Sequence, residues 1–376
     1  MNGLRECRPL IMMDQLPWHE LDVDGDVKLR CRDADARIVE DALRKQLYQA
    51  KYFPADKVFE PYLELPKTIE GYHHGVVRRE VTLAADERND VVSHSYVSQL
   101  SSESDLENLK FPDIRVDEAK DKKRWEKVSE MVSGILPVRL TGVRMFHCGI
   151  WDDLVEAIGT DNFFFFFADE PELLHKAARR MADICQSLID QLTEKQLFDA
   201  YEPTVHCTGA YTDELPQDKE KNVRPGDVWT FGLAQMLGSV SPQMFEEYEV
   251  EYVKPLLEQF GLVYYGCCEP LHNRIDYIRK IKNVRKISMS PWADIRAGAE
   301  HIHGDYVISR KPNPAYLAAA SFDPELVRRE LQETCRAAKE NGCTCELILK
   351  DVSTVQYHPE RLAQWHKIAV EVAGEW

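Results

Sequence analysis

The chain has 376 residues, 44% of them hydrophobic, and a formal net charge of -17. That length and apolar content support a large buried core and exclude a wholly disordered chain. The acidic balance argues against a nucleic-acid partner, because phosphate backbones are gripped by dense Lys/Arg patches.

No basic stretch followed by a long apolar run opens the chain, and its longest apolar cluster, 163–168, is far below membrane-spanning length. A cytoplasmic protein with no membrane partner is expected. Ten cysteines spread over such a length suggest reduced thiols, since oxidised frameworks belong mainly to short secreted domains.

In chain order, Pro17-Trp-His-Glu20 and a helical stretch from about Ala34 to Tyr52 precede a first expected strand, Val58 to Glu64. Residues 1–55 therefore read as an N-terminal helical extension packing on a main domain of 56–376. The segment Ser101 to Lys123 is acidic and polar, a surface connection, and the mixed run Lys120 to Arg124 reads as a solvated face. Five phenylalanines, Phe163 to Phe167, suit buried helix-and-turn packing, or a partner surface if exposed.

Later apolar, β-rich runs are Leu136–Leu140, Tyr201–His206, Leu262–Cys268, Val284–Met289, Tyr306–Ser309 and Cys345–Leu349. Helices lie between them. Asp169-Glu-Pro-Glu172 opens one through about Leu197, Ser241-Pro242 another to about Phe260, and Asp323-Pro324 a third that stops near Gly342. Strands alternating with helices predict parallel β/α units, and their number favours a (β/α)8 TIM-type barrel, with an open doubly wound α/β sheet as the alternative. The long connection Thr208 to Val240 reads as a lid or binding loop, placing Trp229 and Gln235 as substrate contacts.

The densest chemistry lies where the run Leu262-Val-Tyr-Tyr-Gly266 passes into Cys267-Cys268-Glu269-Pro-Leu-His272. Two soft thiols, a carboxylate and an imidazole make a candidate zinc site with Cys267, Cys268 and Glu269 as ligands and His272 as a further ligand or base. Successive strand residues face opposite ways, so both sulfurs reach one ion only if the strand turns there. An open coordination position would let zinc lower the pKa of an incoming thiol, hydroxyl or water. The plain alternative is that vicinal cysteines fill space. Other strand ends supply His206 and Asp213 as a metal arm or substrate clamp, Lys311 to hold an anionic group, and Lys350 and Asp351 in catalytic roles.

Gly149-Ile-Trp-Asp-Asp-Leu-Val-Glu-Ala-Ile-Gly159, Phe163 to Phe167, Asp169 to His175, Phe231-Gly-Leu-Ala-Gln235, Ser241 to Phe245 and Gly266-Cys-Cys-Glu269 together resemble the uroporphyrinogen decarboxylase superfamily. The likeness covers about Leu136 to Asp351 and implies a barrel with its site at the carboxyl ends of the strands. Porphyrinogen decarboxylases carry an N-terminal Met-Arg-Gln-Ala-Gly-Arg segment, where this chain reads Glu6-Cys-Arg-Pro-Leu-Ile-Met-Met-Asp14. The resemblance therefore points to the other branch: zinc-dependent methyltransferases that exchange a methyl group between a small substrate and a corrinoid on a separate protein. That branch's His-x-Cys pattern falls on Gly266 and Cys268, and the strand end Leu349-Lys-Asp-Val-Ser353 lacks its later cysteine. Analogy with the family implies a small oligomer, a homodimer. A decarboxylase-like lyase and a non-catalytic ligand-binding barrel are the competing readings.

Overall fold

A computed structural model describes residues 1–22, 24–83, 93–200, 203–216 and 222–376. Nine strands organise it: β1 Leu10–Met13, β2 Leu63–Pro66, β3 Val138–Thr141, β4 Met145–Cys148, β5 Trp229–Gly232, β6 Leu262–Tyr265, β7 Val284–Met289, β8 Val307–Arg310 and β9 Cys345–Leu349. Seven form one parallel sheet in the order β1-β9-β8-β7-β6-β5-β4. The other two pair in parallel beside it, Leu63 opposite Val138. The chain is therefore an α/β protein.

The sheet is buried on both faces, which is why its strands read as near-continuous apolar runs. One face, carrying Tyr265, Ile287, Ile308 and Leu347, joins the main core with the helices. The main helices are α1 Ala34–Tyr52, α2 Ile150–Ile158, α3 Thr160–Asp169, α4 Pro171–Glu194, α5 Ile295–Ile302, α6 Pro324–Glu340 and α7 Glu360–Gly374. Their starts follow local chemistry. Asp33 accepts the backbone N–H groups of Asp35 and Ala36, Asp323 those of Glu325 and Leu326, and Pro171 stands in the first turn of α4.

The opposite face is partly polar. Lys286, Ser288, Ser309 and Glu346 are all fully buried there, and Ser288, Ser309 and Glu346 lie in register across β7, β8 and β9. An antiparallel hairpin, Thr204–Val205 with Thr208–Gly209, packs against this face. Lys286 Nζ lies 3.1 Å from Glu346 Oε2 and donates to the Gly209 carbonyl at 2.8 Å, while the Thr208 hydroxyl donates to Glu346. A buried ion pair thus pins the hairpin.

Several elements differ from expectation. The expected strand 58–64 is realised only as Leu63–Pro66, while Leu10–Met13, within the stretch read as an extension, is a full member of the sheet. The supposed lid contains β5, paired on both sides by β4 and β6. Residues 201 and 202 of the expected strand 201–206 lie outside the described residues; Thr204–Val205 pairs in the hairpin instead of the main sheet. The phenylalanine run is helical, so its rings fan out: Phe163 is fully buried and Phe165 is 67% exposed. No helix among the described residues is long and apolar enough to cross a membrane.

Candidate functional site at the carboxyl ends of the strands

Parallel strands bring all their carboxyl ends to one side, where side chains from distant parts of the chain converge. A cavity of 620 Å³ opens there. Its wall includes Gln15 beyond β1, His147 on β4, Leu233 and Gln235 beyond β5, Cys267 and Cys268 beyond β6, and Lys350 and Asp351 beyond β9.

Gly266 explains how two adjacent cysteines share this space. Its φ is +93°, and a Cβ there would stand 2.2 Å from Leu271 Cδ1 and 3.1 Å from Ser288 Cβ. The chain leaves the regular ladder at this point and bends through 267–269, cancelling the alternation that would have sent the two side chains apart. Cys267 Sγ and Cys268 Sγ end 3.5 Å apart.

The Cys267 backbone is held on both sides. Its N–H donates to Glu269 Oε2 at 2.9 Å, while its carbonyl accepts from Ser288 Oγ at 2.7 Å and Lys311 Nζ at 3.0 Å. Its sulfur completes a triangle with His206 Nε2 and Lys350 Nζ, each edge 3.4 Å. Cys268 Sγ lies 3.7 Å from Asp351 Oδ2, which also pairs with Lys350 Nζ at 2.8 Å. His206 and Asp351 both have left-handed backbones, φ 56° and 55°, a conformation that surrounding structure must hold in place.

Electrostatics follow from this geometry. A hydrogen bond from Cys268, then one from His206 and the charges of Lys311 and Lys350, hold the Cys267 thiol far below the usual thiol range despite burial. The same hydrogen bond, with burial, pushes Cys268 up. Burial lowers Lys350, but the nearby negative charges, Cys267 foremost, together more than offset this and leave it raised. Burial keeps His206 and His147 below the ordinary imidazole value. His206 stacks on Phe231 at 4.2 Å, with His147 against the same ring at 5.4 Å.

A second wall is acidic. Burial raises Asp152 to about 6 and Asp153 to about 7; Gln235 donates to Asp152 at 3.2 Å, and Glu156 nearby is paired with Arg78.

The structure separates the residues singled out from sequence. Cys267, Cys268, His206, Gln235, Lys350 and Asp351 meet at the cavity, and Lys311 supports Cys267 from beneath while lining a smaller adjoining pocket of 240 Å³ with Trp292. Glu269 does not face the sulfurs as a ligand: it is buried, accepts the N–H groups of Ala234 and Cys267, and clamps the β5 and β6 ends together. His272 lies away from the cavity, against Gly298. Asp213 pairs with Arg5 at 2.9 Å on the exposed surface. Trp229 is buried within β5, donating to the Ala210 carbonyl at 3.0 Å, and so packs the hairpin instead of touching the cavity.

Sequence reasoning missed His147, Asp152 and Asp153. The aspartates sit in the Gly149–Gly159 segment, where they pass for ordinary first-turn acids of α2.

Two thiols and an imidazole are zinc-type donors, and their 3.4 and 3.5 Å separations are close to the roughly 3.6 Å S–N and 3.8 Å S–S edges that tetrahedral zinc bond lengths imply. Among the described residues no three thiol, imidazole or carboxylate groups form a preassembled cage, and the Lys350 ammonium fills one side of the triangle. The donors are of zinc-binding type, but as placed the Lys350 ammonium, already 2.8 Å from Asp351, stands against the Cys267 sulfur.

No known family model matches the chain, and no curated protein matches it. Among solved structures it is similar to the Haloferax volcanii malate synthase pyruvate/acetyl-CoA ternary complex, at 8% identity over 66% of this chain, with a TM-score of 0.20. The match spans 57% of that chain's length, and a likeness of this size carries no argument about fold or activity.

Proposed function

We propose that this protein is a methyltransferase that moves a methyl group between a small substrate in the cavity and a corrinoid carried by a separate protein. The supporting observation is the meeting of Cys267 Sγ, Cys268 Sγ and His206 Nε2 at the wall of a 620 Å³ space, a volume suited to a small molecule. Those three residues would hold zinc, which as a Lewis acid supplies a more acidic or more nucleophilic bound thiol, hydroxyl or water. Lys350 offsets the thiolate charge, Asp351 steers the Lys350 ammonium, and the Phe231 and His147 rings, tilted 39° to one another, offer aromatic surface to the substrate. The seven-stranded parallel sheet is read as most of the wall of a (β/α)8-type barrel.

The acidic wall of Asp152 and Asp153 disfavours a polycarboxylate substrate and with it a porphyrinogen decarboxylase. One observation favours a second reading. Lys350 already stands where a cation beside Cys267 is needed, which suits a metal-free thiolate enzyme.

Elemental analysis of protein purified without chelator separates the two. Stoichiometric zinc, lost in Cys268→Ala and His206→Ala together with methyl transfer to or from cobalamin, is the expected result. Zinc-free wild-type protein would exclude the metal, and an undiminished methyl-transfer rate in Cys268→Ala would remove the thiol pair from the chemistry.

A further inference from the structure

Two sulfurs on adjacent residues, 3.5 Å apart and facing a solvent-connected cavity, are placed for a reaction that methyl transfer does not use. We propose that Cys267 and Cys268 exchange with low-molecular-weight disulfides and close into a reversible vicinal disulfide, making the cavity wall a two-electron thiol–disulfide centre. This does not rest on the methyltransferase reading, because it needs neither zinc nor a corrinoid.

The neighbours divide the steps between the two sulfurs. Cys267 Sγ has the Lys350 ammonium at 3.4 Å, the cationic neighbour that marks attacking cysteines, and His206 Nε2 also at 3.4 Å. As a thiolate it attacks one sulfur of a small disulfide RSSR. A Cys267–SR bond forms, the S–S bond of RSSR breaks, and the released RS⁻ takes a proton from solvent. Cys268 is the more exposed of the pair, and its thiol lies 3.7 Å from Asp351 Oδ2. Asp351 takes the thiol proton, Cys268 Sγ attacks Cys267 Sγ, and the second RS⁻ leaves with the proton as RSH. The dithiol is oxidised by two electrons, and RSSR is reduced to two RSH.

The geometry fits closure and reopening alike. The sulfurs must approach from 3.5 Å to about 2.05 Å, and the bend at 267–269 has already released this segment from the β-ladder. The ring closes through the single peptide bond between the two residues, so it is strained, and strained disulfides are the readily reduced ones. Cys148 and Cys185 also approach each other, but both are buried in the core away from the cavity, as are Cys207 and Cys345, and Cys31 is exposed with its backbone tied to Glu40.

The test uses the full-length chain, treated with EDTA and then incubated with glutathione disulfide. The expected product is a wild-type chain lighter by two hydrogen atoms, with the bridge mapped to the peptide containing Cys267 and Cys268 and reversed by dithiothreitol. Cys268→Ser should stop at a stable glutathione adduct on Cys267, with complete loss of closure. A wild-type chain that keeps the adduct without closing, stays unmodified, or loses its hydrogens at other cysteines overturns the proposal. Because the readout is mass and involves no methyl transfer, failure of the methyltransferase reading would leave this result standing.

Discussion

Cys267 carries the sharpest test at the scale of single residues. An ordinary thiol alkylates about tenfold faster for each pH unit gained below its pKa near 8.5. With Cys268, His206 and Lys350 stabilising its charge, Cys267 should instead react with iodoacetamide at a rate nearly flat between pH 6 and 9, by the same principle taken at roughly those limits. Cys268→Ala should restore a rising profile, since it removes the hydrogen bond that contributes most to stabilising the thiolate. A profile unchanged by that substitution would deny Cys268 its role.

Asp153 gives a second residue-scale test. Burial, then the charges of Glu156 and Asp152, raise its carboxyl to about 7. Between the unfolded carboxylate value and that point the native state binds more protons than the unfolded one, so this group's contribution to stability falls as pH rises through that window. Asp153→Asn removes the cost of an ionised carboxylate. The variant should match wild type near pH 3.5 and exceed it at pH 8 by on the order of 1 kcal/mol, after discount for a side chain 36% exposed. Urea midpoints at the two pH values check the sign.

At the level of elements, the turn after β6 depends on one glycine. Gly266→Ala would force a side chain into a φ of +93° and against Leu271, combining backbone strain with overpacking. A loss of about 3 kcal/mol is expected from those two effects, along with wider separation of the two sulfurs. Denaturant unfolding measures the first, and the yield of disulfide closure measures the second.

Elements with their own punctuation were legible in sequence. Asp33 and Asp323 announce helices because their carboxylates satisfy free N–H groups locally, and Val284–Met289 and Cys345–Leu349 read as strands because both sheet faces are covered. Strand β5 was hidden for the converse reason. Trp229-Thr-Phe-Gly232 is only four residues long, and its partners, Met145–Cys148 and Leu262–Tyr265, come from remote parts of the chain. Strand β1, between Pro9 and Asp14, is equally short, and its partner β9 lies more than 300 residues away.

For the molecule as a whole, stability and site geometry meet at the buried Lys286–Glu346 pair. Both side chains are fully buried, and with Thr208 they fasten the 204–209 hairpin to the sheet. Lys286→Met leaves the Glu346 charge without its partner and should cost about 3 to 5 kcal/mol. It should also speed hydrogen exchange across the hairpin that carries His206. By contrast, Asp213→Ala breaks an ion pair whose partners are 76% and 68% exposed, and should change stability by less than about 0.5 kcal/mol. Equal effects from the two substitutions would contradict the assignment of the hairpin anchor.

Sequence alone determined what short-range chemistry controls: an α/β alternation, the helix starts, and a cluster of soft donors at Cys267 and Cys268. It could not say which neighbours those sulfurs acquire. His206 arrives from 61 residues upstream and Lys350 from 83 downstream, while Glu269, next to Cys268 in sequence, turns away to bind backbone N–H groups. Only the tertiary structure decided this, because parallel strands gather their carboxyl ends irrespective of separation along the chain, and the bend after Gly266 sets which adjacent side chains share a space.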